Sequence, residues 1–194
     1  MKVIGITGGV GAGKSRILSI LKEEYQVEII LADEVAKELE EPGMEGYRQL
    51  VETFGTGILG PDGEINRAGL AALIFQDKEA LQKVNAIIHP LTWEEIKRRT
   101  AVSTAHLVAV EAALFDESSK TLCEELWFVD TLEENRIDRL MTNRGYSRQK
   151  CLDIIANQKD RSFFLNLADV VIDNNGSIED VRRQIADVLG AAKD

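Results

Sequence analysis

The sequence is poor in cysteine: Cys123 and Cys151 are the only two in 194 residues. Two thiols so far apart make neither a disulfide framework nor a metal-binding spacing, and their apolar surroundings read as buried positions. No apolar run approaches the length that spans a bilayer. The start, Met1-Lys2 followed directly by Val3-Ile4-Gly5-Ile6, carries no basic stretch, long apolar segment or cleavage site of a secretory signal. The expected compartment is therefore the cytoplasm, with no membrane partner. Positive charge is also in deficit: 33 acidic against 23 basic side chains leave a net charge of −10. Such a surface repels a phosphate backbone at long range and argues against nucleic acid as a partner. A small anion is still bindable where local amides and a few cations override the distant field.

What is present suits one ordinary domain with a modest insertion. The hydrophobic fraction of 44% supplies a core and the charged fraction of 29% a solvated surface. Short apolar runs at Val3 to Ile6, Val27 to Leu31, His106 to Ala112, Leu126 to Val129 and Asp169 to Ile172 predict five buried strands. Helical periodicity separates them. Strands alternating with helices predict an α/β fold with a mostly parallel five-stranded sheet covered on both faces. Pro42-Gly43 ends an acidic helix, Gly60-Pro61-Asp62-Gly63 is a turn, and Pro90 predicts a kink or break in the helical pattern from Asp77 towards Arg99. Thr131-x-x-Glu134 reads as a capping box, and Ser147 and Ser177 as further helix starts. The expected organisation is a core of 1–43 and 101–194 with a helical substrate-binding insertion, 44–100, which contains no strand pattern.

One motif carries chemistry. Gly8-Gly9-Val10-Gly11-Ala12-Gly13-Lys14-Ser15 matches G-x-x-x-x-G-K-[ST] and falls between a predicted strand and a predicted helix. There the loop's amides and the helix's free N–H groups can face a polyphosphate. Lys14 adds a positive charge for the β- and γ-phosphates, and the Ser15 hydroxyl a ligand for Mg²⁺. This predicts a small-molecule kinase using ATP.

Other candidates take their meaning from this loop. Asp33 follows the second strand, and ligands of open α/β sheets bind at the carboxyl ends of strands. A carboxylate there can accept or orient an acceptor hydroxyl's proton; the plainer role is a helix cap. Glu111 ends the third strand and can hold Mg²⁺ through water, or be a solvated strand end. Arg136 and Arg139 share a helix face, with Arg144, Arg148, Lys159 and Arg161 beyond; one or two suit a phosphate clamp, although most charge runs are solvated faces. His89 before Pro90 reads first as an ordinary histidine. Asn174 with Asn175-Gly176 reads first as a turn, with a nucleotide-side role as the alternative.

Taken together, the chain resembles the dephospho-coenzyme A kinase family along nearly its whole length. The resemblance rests on Ile6 to Ser15, Ala32-Asp33, Glu41-Pro42-Gly43, Phe54-Gly55, Asp62-Gly63 with Arg67, and Ile74-Phe75. It continues through Asn85 with His89-Pro90-Leu91, Arg139-Leu140, Gln158, and Ala168-Asp169 to Asn174 with Gly176. The resemblance implies a P-loop kinase-like three-layer fold, a helical substrate domain and a lid, about 136–165. It implies transfer of the ATP γ-phosphoryl group to the ribose 3′-hydroxyl of dephospho-coenzyme A. In that scheme Asp33 is the base, Lys14 and Arg139 act on the phosphates, and His89 lies on the substrate side. Gly8, Gly9, Gly11, Ala12, Gly13, Lys14, Ser15, Arg16, Arg144 and Asn174 hold the nucleotide. Ser15 and Glu111 serve Mg²⁺. A monomer or small homo-oligomer is expected.

The chain departs from the family pattern in places. Arg16 stands where the loop usually ends in threonine, Leu31 replaces the first acid of Asp-Ala-Asp, and Ala113 replaces a proline. Asn143 stands at the usual lid arginine, with Arg144 beside it, and Ile154 replaces another arginine. Two rivals remain at this level: a P-loop kinase for a nucleoside, nucleotide or sugar acid, and a non-catalytic nucleotide switch. The loop chemistry is common to all of them, and Asp33 argues against the switch.

Overall fold

The computed structural model describes residues 1–191. The chain forms two compact units, Met1–Ile30 with Thr104–Asp194, and Leu31–Ser103. Along the chain the strands are β1 (Lys2–Thr7), β2 (Glu28–Leu31), β3 (Leu107–Glu111), β4 (Glu125–Asp130) and β5 (Val170–Asp173). The helices are α1 (Lys14–Tyr25), α2 (Ala32–Leu39), α3 (Glu45–Phe54), α4 (Arg67–Gln76) and α5 (Lys78–Val102). They continue with α6 (Glu117–Lys120), α7 (Glu133–Arg144), α8 (Arg148–Ala156), α9 (Arg161–Leu167) and α10 (Ile178–Ala191). A 3₁₀ turn spans Thr56–Ile58.

The first unit is built on the five-stranded sheet, in the order β2-β3-β1-β4-β5. β1 runs parallel to both β3 and β4, and β4 parallel to β5. Alternation along β4 shows why both faces need cover. Trp127 and Val129 point into a core shared with Ile4 and Ile6 of β1, Ile17, Ile20 and Leu21 of α1, and Val181 and Ile185 of α10. Phe128, between them, lies on the other face and stacks on Phe164 of α9 with ring centroids 5.1 Å apart. Each fully buried large side chain here contributes about 1.5–3 kcal/mol. Helices on both faces of a parallel sheet make this the expected three-layer α/β fold.

The second unit is helical. Leu50, Ile58, Ile65, Leu70, Val84 and Ile88 form its buried centre. It starts at Leu31 and not at residue 44. The reason lies in α2 and its C-cap: Ala36 packs on this same centre, Glu38 pairs with Arg99 of α5, and the C-cap Glu40 pairs with Arg67 of α4 at 2.8 Å.

Two local expectations are corrected. Pro90 does not break its helix; α5 continues through it from Lys78 to Val102. Proline removes one N–H and so orphans the carbonyl of Ala86, and both residues are exposed, where solvent can satisfy that oxygen. The Thr131–Glu134 capping box does not form either: the N-cap of α7 is Leu132, with no side-chain cap. Thr131 donates instead to the carbonyl of Ala12 at 2.9 Å. The caps at Ser147 and Ser177 do form; Ser147 accepts from the Lys150 amide, and Ser177 and Asp180 bond reciprocally.

Candidate active site

Residues 8–13 connect β1 directly to α1, so the loop emerges at the carboxyl end of a central strand and closes at a helix N-terminus. Gly13 is the N-cap of α1 and sits in the left-handed region, φ +87, where a side chain would be strained. The site is assembled on this turn from β3, β4, β5, α7 and the segment after α8.

Ala12 is its hub. The Ala12 carbonyl accepts from Thr131 Oγ1 at 2.9 Å, Asn174 Nδ2 at 2.7 Å and Arg139 Nη1 at 3.0 Å. A trans peptide is planar, so the N–H of Gly13 must point away from these three donors. The same residues tie together further out: Arg139 Nη2 donates to the backbone oxygen of Asn174 at 2.6 Å, and Arg16 Nη1 to Asn174 Oδ1 at 3.4 Å. Asn174 is fully buried. Its side chain thus braces the loop from within. Burial, and then the neighbouring Arg16 charge, pulls the Arg139 guanidinium below its ordinary pKa, although an arginine stays charged.

Lys14 reaches back over the loop. Its Nζ donates to the Gly8 carbonyl at 2.9 Å and lies 3.3 Å from Glu111 Oε1. Both side chains are mostly buried, 16% and 15% exposed, so the pair is well shielded from water. Glu111 therefore stands beside the loop, at the end of β3. Ser15 and Arg16 are exposed in the first turn of α1.

The other expected residues fall as follows. Arg144 is exposed at the C-terminal end of α7 and, among the described residues, has no hydrogen-bond or ion-pair partner. Arg148 pairs with Glu134 at 2.7 Å. Arg161 makes a forked pair with Asp130 at the end of β4, with contacts of 2.6–3.0 Å. In the second unit Asp33 is the second residue of α2 and exposed, and His89 is exposed on α5. Thr131, buried and hydroxyl-bearing, is a site residue that sequence reasoning spent on a helix cap. Its proximity to a plausible cap position hid a bond that spans 119 residues of sequence.

Hard oxygen donors next to a phosphate-binding turn suit Mg²⁺, which keeps several of its own waters. The Ser15 hydroxyl and the Glu111 carboxylate provide them. Among the described residues no helix is long and apolar enough to cross a membrane.

Comparison with known proteins agrees with this geometry. A family model described as dephospho-CoA kinase matches residues 2–180. The dephospho-CoA kinase of Carboxydothermus hydrogenoformans is 38% identical over 193 residues, covering 97% of this chain and 93% of that one. The crystal structure of TT1252 from Thermus thermophilus superposes with a TM-score of 0.80 at 28% identity, covering 98% of this chain and 97% of the other. Dephospho-CoA kinase from Campylobacter jejuni shares the fold at a TM-score of 0.71 and 22% identity, over 99% and 98% of the two chains. A match of this extent, joined to a phosphate loop braced at Ala12 and a lysine poised beside it, means that the chain belongs to the dephospho-CoA kinase family.

Proposed function

We propose that the protein transfers the γ-phosphoryl group of ATP to the ribose 3′-hydroxyl of dephospho-coenzyme A, giving coenzyme A and ADP. The observation that carries this reading is the braced loop: a turn whose Ala12–Gly13 peptide is fixed by three side-chain donors suits a polyphosphate without rearrangement. Family membership supplies the acceptor.

Each residue then has a chemical task. Lys14 exchanges its contact with the Gly8 carbonyl for phosphate oxygens. Its pairing with Glu111 holds the ammonium beside the loop meanwhile. Gly8, Gly9, Gly11 and Gly13 supply amides and close approach, and Arg16 adds charge at the start of α1. Arg139 contributes a positive charge whose position is fixed by two carbonyls. Arg144, uncommitted at the end of α7, is the mobile cation of the lid segment, about 136–165. Ser15 and Glu111 are the residues that would hold Mg²⁺, Glu111 through water; when bound, the ion supplies charge neutralisation to the phosphates. Asp33, two residues past the end of β2, takes the proton of the acceptor hydroxyl as it attacks. Leu31–Ser103 is the acceptor-binding unit, with His89 on its surface.

Measuring ADP release with Mg²⁺ against a panel of acceptors tests the reading. Dephospho-coenzyme A should exceed nucleosides, nucleotides and sugar acids in kcat/KM. Asp33→Asn should bind ATP as the parent does and lose turnover by about a hundredfold or more, the usual contribution of a positioned general base. Unchanged turnover in that variant would remove Asp33 from the mechanism.

A further inference from the structure

Val10, at the crest of the phosphate loop, has both of its backbone groups taken by side chains. Its N–H donates to Gln158 Oε1 at 3.1 Å, and its carbonyl accepts from Arg136 Nε at 2.9 Å. Arg136 Nη2 donates to the same Gln158 oxygen at 2.5 Å. The three bonds close a ring through Val10, Gln158 and Arg136. The Val10 side chain meanwhile packs on Ile137, Leu140 and Cys151 of α7 and α8. The fit extends to Gly9, where a Cβ would meet the Arg136 guanidinium and push it off its present position. Arg136 is half-buried, and that burial pulls its pKa down against the opposing pull of Glu133. A planar guanidinium spending two of its nitrogens on fixed acceptors is not a mobile phosphate finger.

We infer that Arg136 and Gln158 are positioning residues, which hold the crest of the loop through Val10 so that its amides stand in phosphate-binding geometry before nucleotide arrives. This rests on the reading of the loop as the ATP site. The Val10 N–H is used by Gln158 and is not offered to phosphate; what the pair supplies is order. A loop fixed in advance loses less entropy on binding, so its affinity rises without any new contact to the ligand. The same ring links the first turn of α7 to Gln158, two residues beyond α8, so the segment carrying Arg144 and the loop respond to each other.

Four variants test this: Arg136→Met, Arg136→Lys, Gln158→Leu and Gln158→Glu. For each we would measure ATP KM, dephospho-coenzyme A KM, kcat, ADP affinity by calorimetry, and hydrogen exchange of residues 8–13 without nucleotide. Arg136→Met and Gln158→Leu should raise ATP KM and weaken ADP about tenfold, an ordering penalty typical of lost preorganisation. They should also speed exchange in the loop while leaving the acceptor KM within about twofold of the parent. Arg136→Lys should behave like Arg136→Met, because an ammonium cannot reach both acceptors as a planar fork does. Gln158→Glu keeps both acceptor bonds and should recover most of the affinity. An Arg136→Lys variant with parental ADP affinity would mean a direct charge contact and overturn the inference. Unchanged loop exchange in both deletion variants would overturn it too. A parent protein that binds no ADP would sink the nucleotide reading instead, and the exchange rates would still decide the brace.

Discussion

At Ala12 one carbonyl oxygen accepts from three side chains drawn from α7, β5's end and the β4–α7 connection. An oxygen has two lone pairs, so the third donor gains least, and the arrangement is redundant by construction. Redundancy suits a peptide whose opposite face must present an amide to an anion. Thr131→Val removes one donor while keeping shape. It should lower stability by about 1 kcal/mol, the net worth of one hydrogen bond, read as a small drop in the urea midpoint at unchanged slope. A loss several times larger would mean that Thr131 holds more than the Ala12 carbonyl. Cys123 shows the other side of residue chemistry: it is half-buried where its apolar surroundings suggested full burial, as Cys151 has, and desolvation, reinforced by the charge of Asp169, pushes its thiol up to about 12.

At the scale of elements, local signals were readable where both partners lie within a few residues. The phosphate loop, the caps at Ser147 and Ser177, and the strand–helix alternation are of this kind. Thr131 is the instructive exception. Thr-x-x-Glu promised a cap, but α7 starts one residue later, with Leu132 as its N-cap, and the Thr131 hydroxyl turns to the Ala12 carbonyl of a loop distant in sequence. Arg136, Gln158 and Val10 were legible as residues and not as a ring, because no periodicity encodes a contact 126 or 148 positions away. The capping box at Asp116 was missed for a different reason: α6 has only four residues, too short for a periodic pattern. There Asp116 accepts from the Ser119 amide at 2.7 Å, and this and the Ser119 and Ser118 hydroxyls lower its pKa to about 2. A lowered carboxylate pKa stabilises the fold at pH values above its unfolded value and stops doing so as the pH falls through the folded one. Asp116→Ala should therefore destabilise by about 0.5–2 kcal/mol at neutral pH. The difference between parent and variant should shrink between about pH 4 and pH 2. A difference that stays constant across that window would contradict the charged-cap account.

Over the whole molecule the acidic surface and the cationic loop region belong to different length scales. The net charge of −10 acts at a distance, and salt screens it within about 10 Å at ordinary ionic strength. Lys14, Arg16, Arg136 and Arg139 act at contact distance, held by Gly8, Asn174, Val10 and Ala12. A small anionic pair of substrates fits this arrangement better than a polyanion. The acceptor cannot be read from the loop, which is common to many kinases; for this chain it follows from family membership, and Asp33 and Leu31–Ser103 are where it must be earned experimentally. The most direct measurement is the product itself. Protein incubated with ATP, Mg²⁺ and dephospho-coenzyme A should yield a product heavier by one phosphoryl group, with phosphorus NMR placing a new phosphomonoester on the ribose 3′-oxygen. No gain in mass, or a phosphate on any other atom, would contradict the account.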